Sequence, residues 1–317
     1  MAHSLQEYCD WLDERDDLIW PKPPKIVPAK ATAFLKPLSG IQGVVWNIYG
    51  TLMRITDGEF LLMHDQKMRM EIALEKTIKE FNMWNSMTRK PGAPWESMLS
   101  QLTTIIENKG MVGTTAKGEY PHVDLSDVWL TLIDRLERNE YSWDESFYGN
   151  MDELSQKVAY FYHSSLQGVE ASPYALNALV YVAKLGLKQG ILADAQSFSI
   201  VRMLRAFRHD GKLPILGKLV APECMILSCH EGVRKPSPSM YESCLEGFEQ
   251  FGIEPEEILY ISNQLSKDLT VAKSLGMRTA LFAGDKLSLR ASAKVVRDKK
   301  RKPDRILTDL AQIREIL

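Results

Sequence analysis

From Ser172 onward the chain alternates short apolar runs with amphipathic stretches, and that alternation leaves few architectures open. Lys188–Ala193, Cys224–Ser228, Glu257–Ser262, Arg278–Phe282 and Arg305–Leu307 read as strands. Ser197–Phe207, Pro238–Phe251, Ser266–Leu275 and Leu287–Val296 read as helices, and Asp309–Leu317 closes the chain. Another helix is expected to open at Ser172-Pro173, an N-cap followed by a first helical position. Leu176, Leu179, Val180 and Ala183 mark its buried face, and Gly186 ends it. Strands alternating with helices pair in parallel through right-handed crossovers. One more strand is expected upstream, at 43–48, where Gly43-Val44-Val45-Trp46-Asn47-Ile48 runs into Tyr49-Gly50-Thr51-Leu52. An apolar run broken by a Gly-Thr turn delivers polar groups at a strand's C-terminal end, where open parallel sheets keep their sites.

Between that strand and Ser172 the pattern is helical. His64–Met83 is rich in strong helix formers, and Ser97–Glu107 follows the breakers Pro91-Gly92-Ala93-Pro94. A glycine-dotted loop is expected at 110–118. Asp124-Leu125-Ser126-Asp127 resembles a helix start, after which Trp129, Leu132, Ile133 and Leu136 keep one face. Met151–Leu166 is a fourth candidate. Ahead of the first strand, residues 1–39 form an arm. Leu5, Tyr8, Cys9 and Leu12 predict a short amphipathic helix, and Pro21, Pro23, Pro24 and Pro28 impose an extended path. Packing of the arm on its own domain and packing on a partner subunit both stay open at this point.

Composition narrows the function. A net charge of −2 gives no general attraction to nucleic acid. Arg297, Lys299, Lys300, Arg301 and Lys302 form a basic run without interleaved aromatics, which reads as a solvated loop. The N-terminus lacks the pattern of a signal peptide, and no apolar run approaches the ~20 residues of a membrane span. The four cysteines make no CxxC and the six histidines no HxH or HExxH, so reduced thiols and a cytoplasmic location are expected.

Four segments in order resemble the motifs of the haloacid dehalogenase-like (HAD) hydrolases. The resemblance implies a Rossmann-like α/β core with a parallel sheet, helices on both faces and an inserted α-helical cap. The implied division is an arm at 1–39, a core at 40–58 with 169–317, and a cap at 59–168 that would close over the sheet's C-terminal edge. The first motif is Asn47-Ile48-Tyr49-Gly50-Thr51, and its leading position is the family's nucleophilic aspartate. Only a carboxylate supplies the anionic oxygen for a covalent aspartyl intermediate, and Asn47 is a neutral amide. Tyr49 stands where phosphatases carry a second aspartate. The second motif, a Ser or Thr that holds the substrate anion, falls on Ala193. Beside it Asp194 would repel a phosphate, or cap the helix that follows. The third motif is a lysine, matched by Lys235 in Arg234-Lys235-Pro236, with Tyr241 at helical reach. The fourth holds Mg²⁺ together with the first aspartate, and its positions here are Asn263 and Asp268, with Asn47.

Two neutral amides and one carboxylate form a thin cage for a hard cation, so the cofactor expected is none or weakly held Mg²⁺. Thr51, Gly50 and Lys235 remain while Asn47, Ala193 and Asn263 depart at the positions that do chemistry. The resemblance therefore implies a degenerate HAD-fold protein that binds a small anionic ligand or a partner rather than turning over. Two alternatives stay open: an active hydrolase of phosphoesters or 2-haloacids with a modified mechanism, in which Asp57, Asp194 or Asp268 could serve, and a scaffold using arm and cap. A homo-oligomer is also left open.

Overall fold

In the computed structural model, residues 2–87, 92–292, 295–296, 298 and 301–317 are described. Six strands form one parallel sheet: β1 (Gly43–Trp46), β4 (Lys188–Ala193), β5 (Met225–Leu227), β6 (Ile258–Ser262), β7 (Arg278–Phe282) and β8 (Arg305–Leu307). Their order is β5-β4-β1-β6-β7-β8, and every pairing is parallel. Because β1 lies between β4 and β6, successive connections leave it on opposite sides. The loops after β1, β4 and β6 thus converge at the topological switch point of the sheet.

All four residues of β1 are buried, as a central strand covered on both faces requires. Trp46 donates from Nε1 to Gln189 Oε1 at 2.9 Å, and Gln189 Nε2 donates to the carbonyls of Leu179 and Leu219. Each buried polar group there is satisfied, so the two strands can hold polar side chains inside. On one side of the sheet Val45, Leu192 and Tyr260 pack with Met240, Tyr241, Cys244 and Phe248 of α10 (Pro238–Glu249).

The chain divides into two compact units. One comprises Met1–Lys22, Leu61–Gly168 and Gln196–Arg202, and the other Pro23–Phe60, Val169–Ala195 and Met203–Leu317. The first unit is helical: α1 (Leu5–Asp13), α2 (Lys67–Glu80), α3 (Pro94–Lys117), α4 (Leu125–Glu137), α5 (Glu145–Tyr148) and α6 (Met151–Leu166). Helix α1 buries Tyr8, Cys9 and Leu12 and starts with a capping box between Ser4 and Glu7. Trp129 of α4 meets Tyr162 of α6 at 5.4 Å, and the Tyr141 hydroxyl donates to Phe81 O. The arm lies along its own chain. Trp20 packs on Phe161 in the helical unit. In the sheet unit Phe34 bridges Ile306 and the Leu38 N–H donates to Ile316 O, which occupies the edge of β8.

Several local expectations need correction. The loop expected at 110–118 is the continuation of α3 to Lys117. Gly110 and Gly113 lie inside the helix and Gly118 ends it as the C-cap at φ +90°, while a Cβ on Gly113 would meet Pro121 at 2.6 Å, so that glycine marks a close crossing. Helix α7 (Ala175–Lys184) begins after Ser172-Pro173, with Tyr174 in the left-handed region as its N-cap. A short antiparallel pair, β2 (Met53–Ile55) and β3 (Val169–Ala171), joins residues too distant in sequence for any window to link. Leu287–Ser292 is not helical. Its backbone is drawn into pairing with the loop after β6, through Arg290 N–H to Asn263 O and Leu265 N–H to Arg290 O. Residues 266–275 divide into a π-helical turn, Leu265–Leu269, and α11 (Thr270–Ser274). Of the basic run, Arg297, Lys299 and Lys300 lie outside the described residues, while Arg301 and Lys302 are exposed on a turn closed by Asp298 O.

Candidate functional site

The carboxyl ends of β1, β4 and β6, with the segment that follows β5, bring Asn47, Tyr49, Thr51, Ala193, Lys235, Asn263 and Asp268 into one buried cluster or its immediate wall. Local backbone shape sets this up. Gly50 takes φ +84°, and a Cβ there would lie 2.2 Å from Asn263 Nδ2, so the turn after β1 needs glycine both for conformation and for space. Thr51 and Asn263 lock the two loops: Asn263 N–H donates to Thr51 Oγ1 at 3.1 Å, and that hydroxyl donates to Asn263 Oδ1 at 3.2 Å.

The amide orientations follow from their partners. The Lys235 ammonium can only donate, and it reaches Asn47 Oδ1 at 3.0 Å. Asn47 Nδ2 therefore faces Tyr49 O at 2.9 Å and Asn263 Oδ1 at 3.0 Å. Asn263 in turn gives its Nδ2 to Ser288 O at 2.6 Å. Lys235 completes its three donors with Tyr260 Oη at 3.1 Å and Asp268 Oδ2 at 2.7 Å. Both ends of that ion pair are inside the protein, Lys235 at 4% exposure and Asp268 at 0%. Asp268 Oδ2 also accepts from Ser262 Oγ at 2.6 Å and lies 3.1 Å from the Tyr260 hydroxyl, whereas Oδ1 has no hydrogen-bond partner.

The π-helical turn accounts for the position of Asp268. A π turn closes its hydrogen bond over one residue more than an α turn. The wider ring over Leu265–Leu269 carries Asp268, whose carboxylate reaches Lys235 at 2.7 Å. Tyr241 fastens the same turn from α10, its hydroxyl donating to Lys267 O at 2.9 Å.

A HAD-hydrolase-like family model matches residues 232–313, the segment that contributes Lys235, Asn263 and Asp268. Over that segment the chain is similar to the haloacid dehalogenase-like hydrolases. Among curated relatives, a glyceraldehyde 3-phosphate phosphatase of Pyrococcus furiosus is 25% identical over 160 residues, covering 50% of this chain and 60% of that protein. A glyceraldehyde 3-phosphate phosphatase of Pyrococcus abyssi is 25% identical over 129 residues, covering 41% of this chain and 49% of the relative. The chain thus spans about half to three fifths of the length of the curated relatives it matches. A solved 2-haloacid dehalogenase from Pseudomonas syringae pv. Tomato superposes with a TM-score of 0.52 at 18% identity, over 87% of this chain and 97% of that one. That likeness concerns the HAD-like fold.

The residues at the HAD-like metal positions do not suit Mg²⁺. The ion favours an octahedral shell of hard oxygens with carboxylates among them. Asn47 Oδ1 and Asp268 Oδ2 are committed to the Lys235 ammonium, and Asn263 Oδ1 to Asn47 and Thr51. Asp268 Oδ1 alone is an uncommitted anionic oxygen, and a monovalent cation already sits 2.7 Å from its twin. Among the described residues no group of three or more His, Cys, Asp and Glu side chains is placed to hold a metal.

Ala193 ends β4 fully buried and offers no donor to the cluster. Asp194, expected as a cap, does not cap the next helix. Its Oδ1 accepts from the Lys235 N–H at 2.8 Å, and α8 (Ser199–Asp210) starts later, with Gln196 N–H donating to Ser199 Oγ. Asp57 lies on a positive-φ turn, and its carbonyl accepts from Arg290. The ring of Tyr49 packs on Phe60 at 5.1 Å while its carbonyl serves Asn47.

Burial pushes the Asp194 carboxyl above its ordinary 3.8, with Asp268 reinforcing and Lys235 opposing the shift. A carboxyl whose folded pKa is raised binds more protons folded than unfolded, so stability falls as pH rises from the unfolded value to the folded one and the full penalty stands above it. Asp194→Asn keeps the acceptor for Lys235 N–H. It is expected to raise the unfolding midpoint at neutral pH, with the gain vanishing as pH falls below 3.8. A gain independent of pH in urea unfolding would rule out this account.

Residues outside the four motifs complete the cluster. Tyr260 is held protonated, its phenol pushed well up by burial and then by Asp268, and Leu192 O at 3.0 Å is a second acceptor for its proton. Its signal was present in the sequence as one phenol inside the apolar run Ile258-Leu259-Tyr260-Ile261, since a buried tyrosine hydroxyl must find a partner. Ser288 gave no such signal, because it contributes only a backbone carbonyl.

Proposed function

We propose that this HAD-like chain does not turn over phosphoesters or haloacids, and that it works by binding. The observation that carries this reading is Asn47, whose carboxamide oxygen is engaged by Lys235 where covalent catalysis needs a free anionic oxygen. Asn47 is 3% exposed, and both of its Nδ2 hydrogens are taken. Lys235 likewise has no N–H left for a substrate anion, so a small anion at the old catalytic lysine would have to displace Asn47, Tyr260 or Asp268. On this reading the cluster is a structural keystone, and recognition happens elsewhere on the protein. The names of the curated relatives favour a second reading, an active phosphatase that uses another group of the site.

The test is a turnover assay with glyceraldehyde 3-phosphate, p-nitrophenyl phosphate and a 2-haloacid, with and without Mg²⁺. No product above the uncatalysed rate is expected under any condition, and Mg²⁺ should leave the melting temperature unchanged. Loss of a nucleophile acting within a unit lowers turnover by about 10⁴ to 10⁶. Product formation that Lys235→Ala abolishes, or a substrate-derived mass adduct on residues 47–52, would establish the second reading instead.

A further inference from the structure

A groove of about 320 Å³ runs along the outside of α7 in the sheet-bearing unit, apart from the Lys235 cluster. Leu176, Val180 and Tyr181 give it an apolar floor, and Lys184, Lys212 and Arg314 surround that floor with positive charge. Helical spacing explains the floor: positions 176 and 180 lie one turn apart on α7 and 181 flanks them, with Leu176 itself only 6% exposed beside the buried Ala178, Leu179 and Val182. The turn after α8 supplies Lys212, and the C-terminal helix, Ile313–Ile316, supplies Arg314.

The groove is positively charged. Three cations against the single carboxylate of Asp210 leave the groove at +2 (3 − 1), on a chain whose net charge is −2. Lys184, Lys212 and Arg314 are all exposed, and none is ion-paired among the described residues. The Arg314 guanidinium lies over the Tyr181 ring, 5.3 Å from its centroid. Stacking holds a guanidinium by its face and leaves its N–H edges for in-plane hydrogen bonds to an oxyanion. The volume is at the lower end of small-molecule sites.

We propose that this groove binds a phosphate monoester with a compact apolar body. The two phosphate charges match the +2 rim, Arg314 and Lys212 take the oxygens, and the apolar part rests on Tyr181, Val180 and Leu176. The inference goes beyond the proposed function and stands independently of it, because no residue of the Lys235 cluster lines the groove. Calorimetric titration of the full chain with phenyl phosphate tests it. Saturable one-to-one binding is expected, tighter than that of inorganic phosphate and weakened by added salt. Lys212→Glu/Arg314→Glu should weaken it by about tenfold or more, with the circular dichroism spectrum unchanged since both residues are exposed. Failure of the wild type to saturate overturns the proposal, as does binding that survives the double charge reversal. Phenol release, followed in the same cell, reports separately on hydrolysis and so on the reading of the Lys235 cluster.

Discussion

Lys235→Met is expected to destabilise the chain by about 3–5 kcal/mol, the usual cost of removing one partner from a buried ion pair. Asp268 is wholly buried, and its Oδ1 is already unpartnered. Without the ammonium it would keep only Ser262 and Tyr260 to offset a full negative charge. Asn47 Oδ1 would lose its donor as well. The double variant Lys235→Met/Asp268→Asn should recover most of the loss, because a neutral amide can accept from Ser262 without a buried charge. Urea unfolding of the wild type, both single variants and the double variant measures this coupling. If Lys235→Met alone costs under about 1 kcal/mol, the ammonium is not the group that neutralises the cluster. The same result would weaken the reading of the site as a structural keystone.

Phe248→Ala should cost about 3–5 kcal/mol, as expected for truncating a fully buried aromatic side chain. Its ring lies where the two adjacent strands β1 and β4 have no side chains. A Cβ on Gly43 would meet the ring at 2.5 Å, and one on Gly190 would meet it at 3.0 Å. The two glycines are therefore the receptacle for Phe248, and the effects of substituting them cannot be independent of the ring. Gly43→Ala should be strongly destabilising in the wild type and markedly less so in Phe248→Ala, where the methyl group enters vacated space. The interaction energy in this double-mutant cycle is expected at about 1 kcal/mol or more. Additive effects would show that the ring yields to the methyl group without cost. Gly190→Ala is the less informative partner, since its Cβ would also meet Cys224 O at 2.6 Å.

Much of this protein was legible before any coordinates. β4, β7 and β8 lie where hydrophobic runs bounded by turn residues placed them. So does α6, whose periodicity extends over four turns. These elements are encoded locally, by side-chain pattern and caps, so a linear reading reaches them. The turn at Gly50-Thr51 and the lysine before Pro236 were legible for a similar reason, as short motifs with fixed backbone requirements.

Other features depended on groups that meet only when the chain is folded. The pairing of β2 with β3 joins Met53 to Ala171, and no propensity of either segment announces the other. The backbone at 287–292 carries helical composition, yet it gives Ser288 O and Arg290 N–H to the loop holding Asn263, because those buried groups need partners more than the segment needs a helix. Asp194 had the residue type of a cap but found a closer donor in Lys235 N–H. The chemistry of the cluster is the clearest case. Sequence showed an amide at position 47 and a lysine at position 235, but not that the lysine spends its three donors on Asn47, Tyr260 and Asp268. Charge and hydrogen-bond saturation are properties of an arrangement in space, which residue identities constrain and only packing decides.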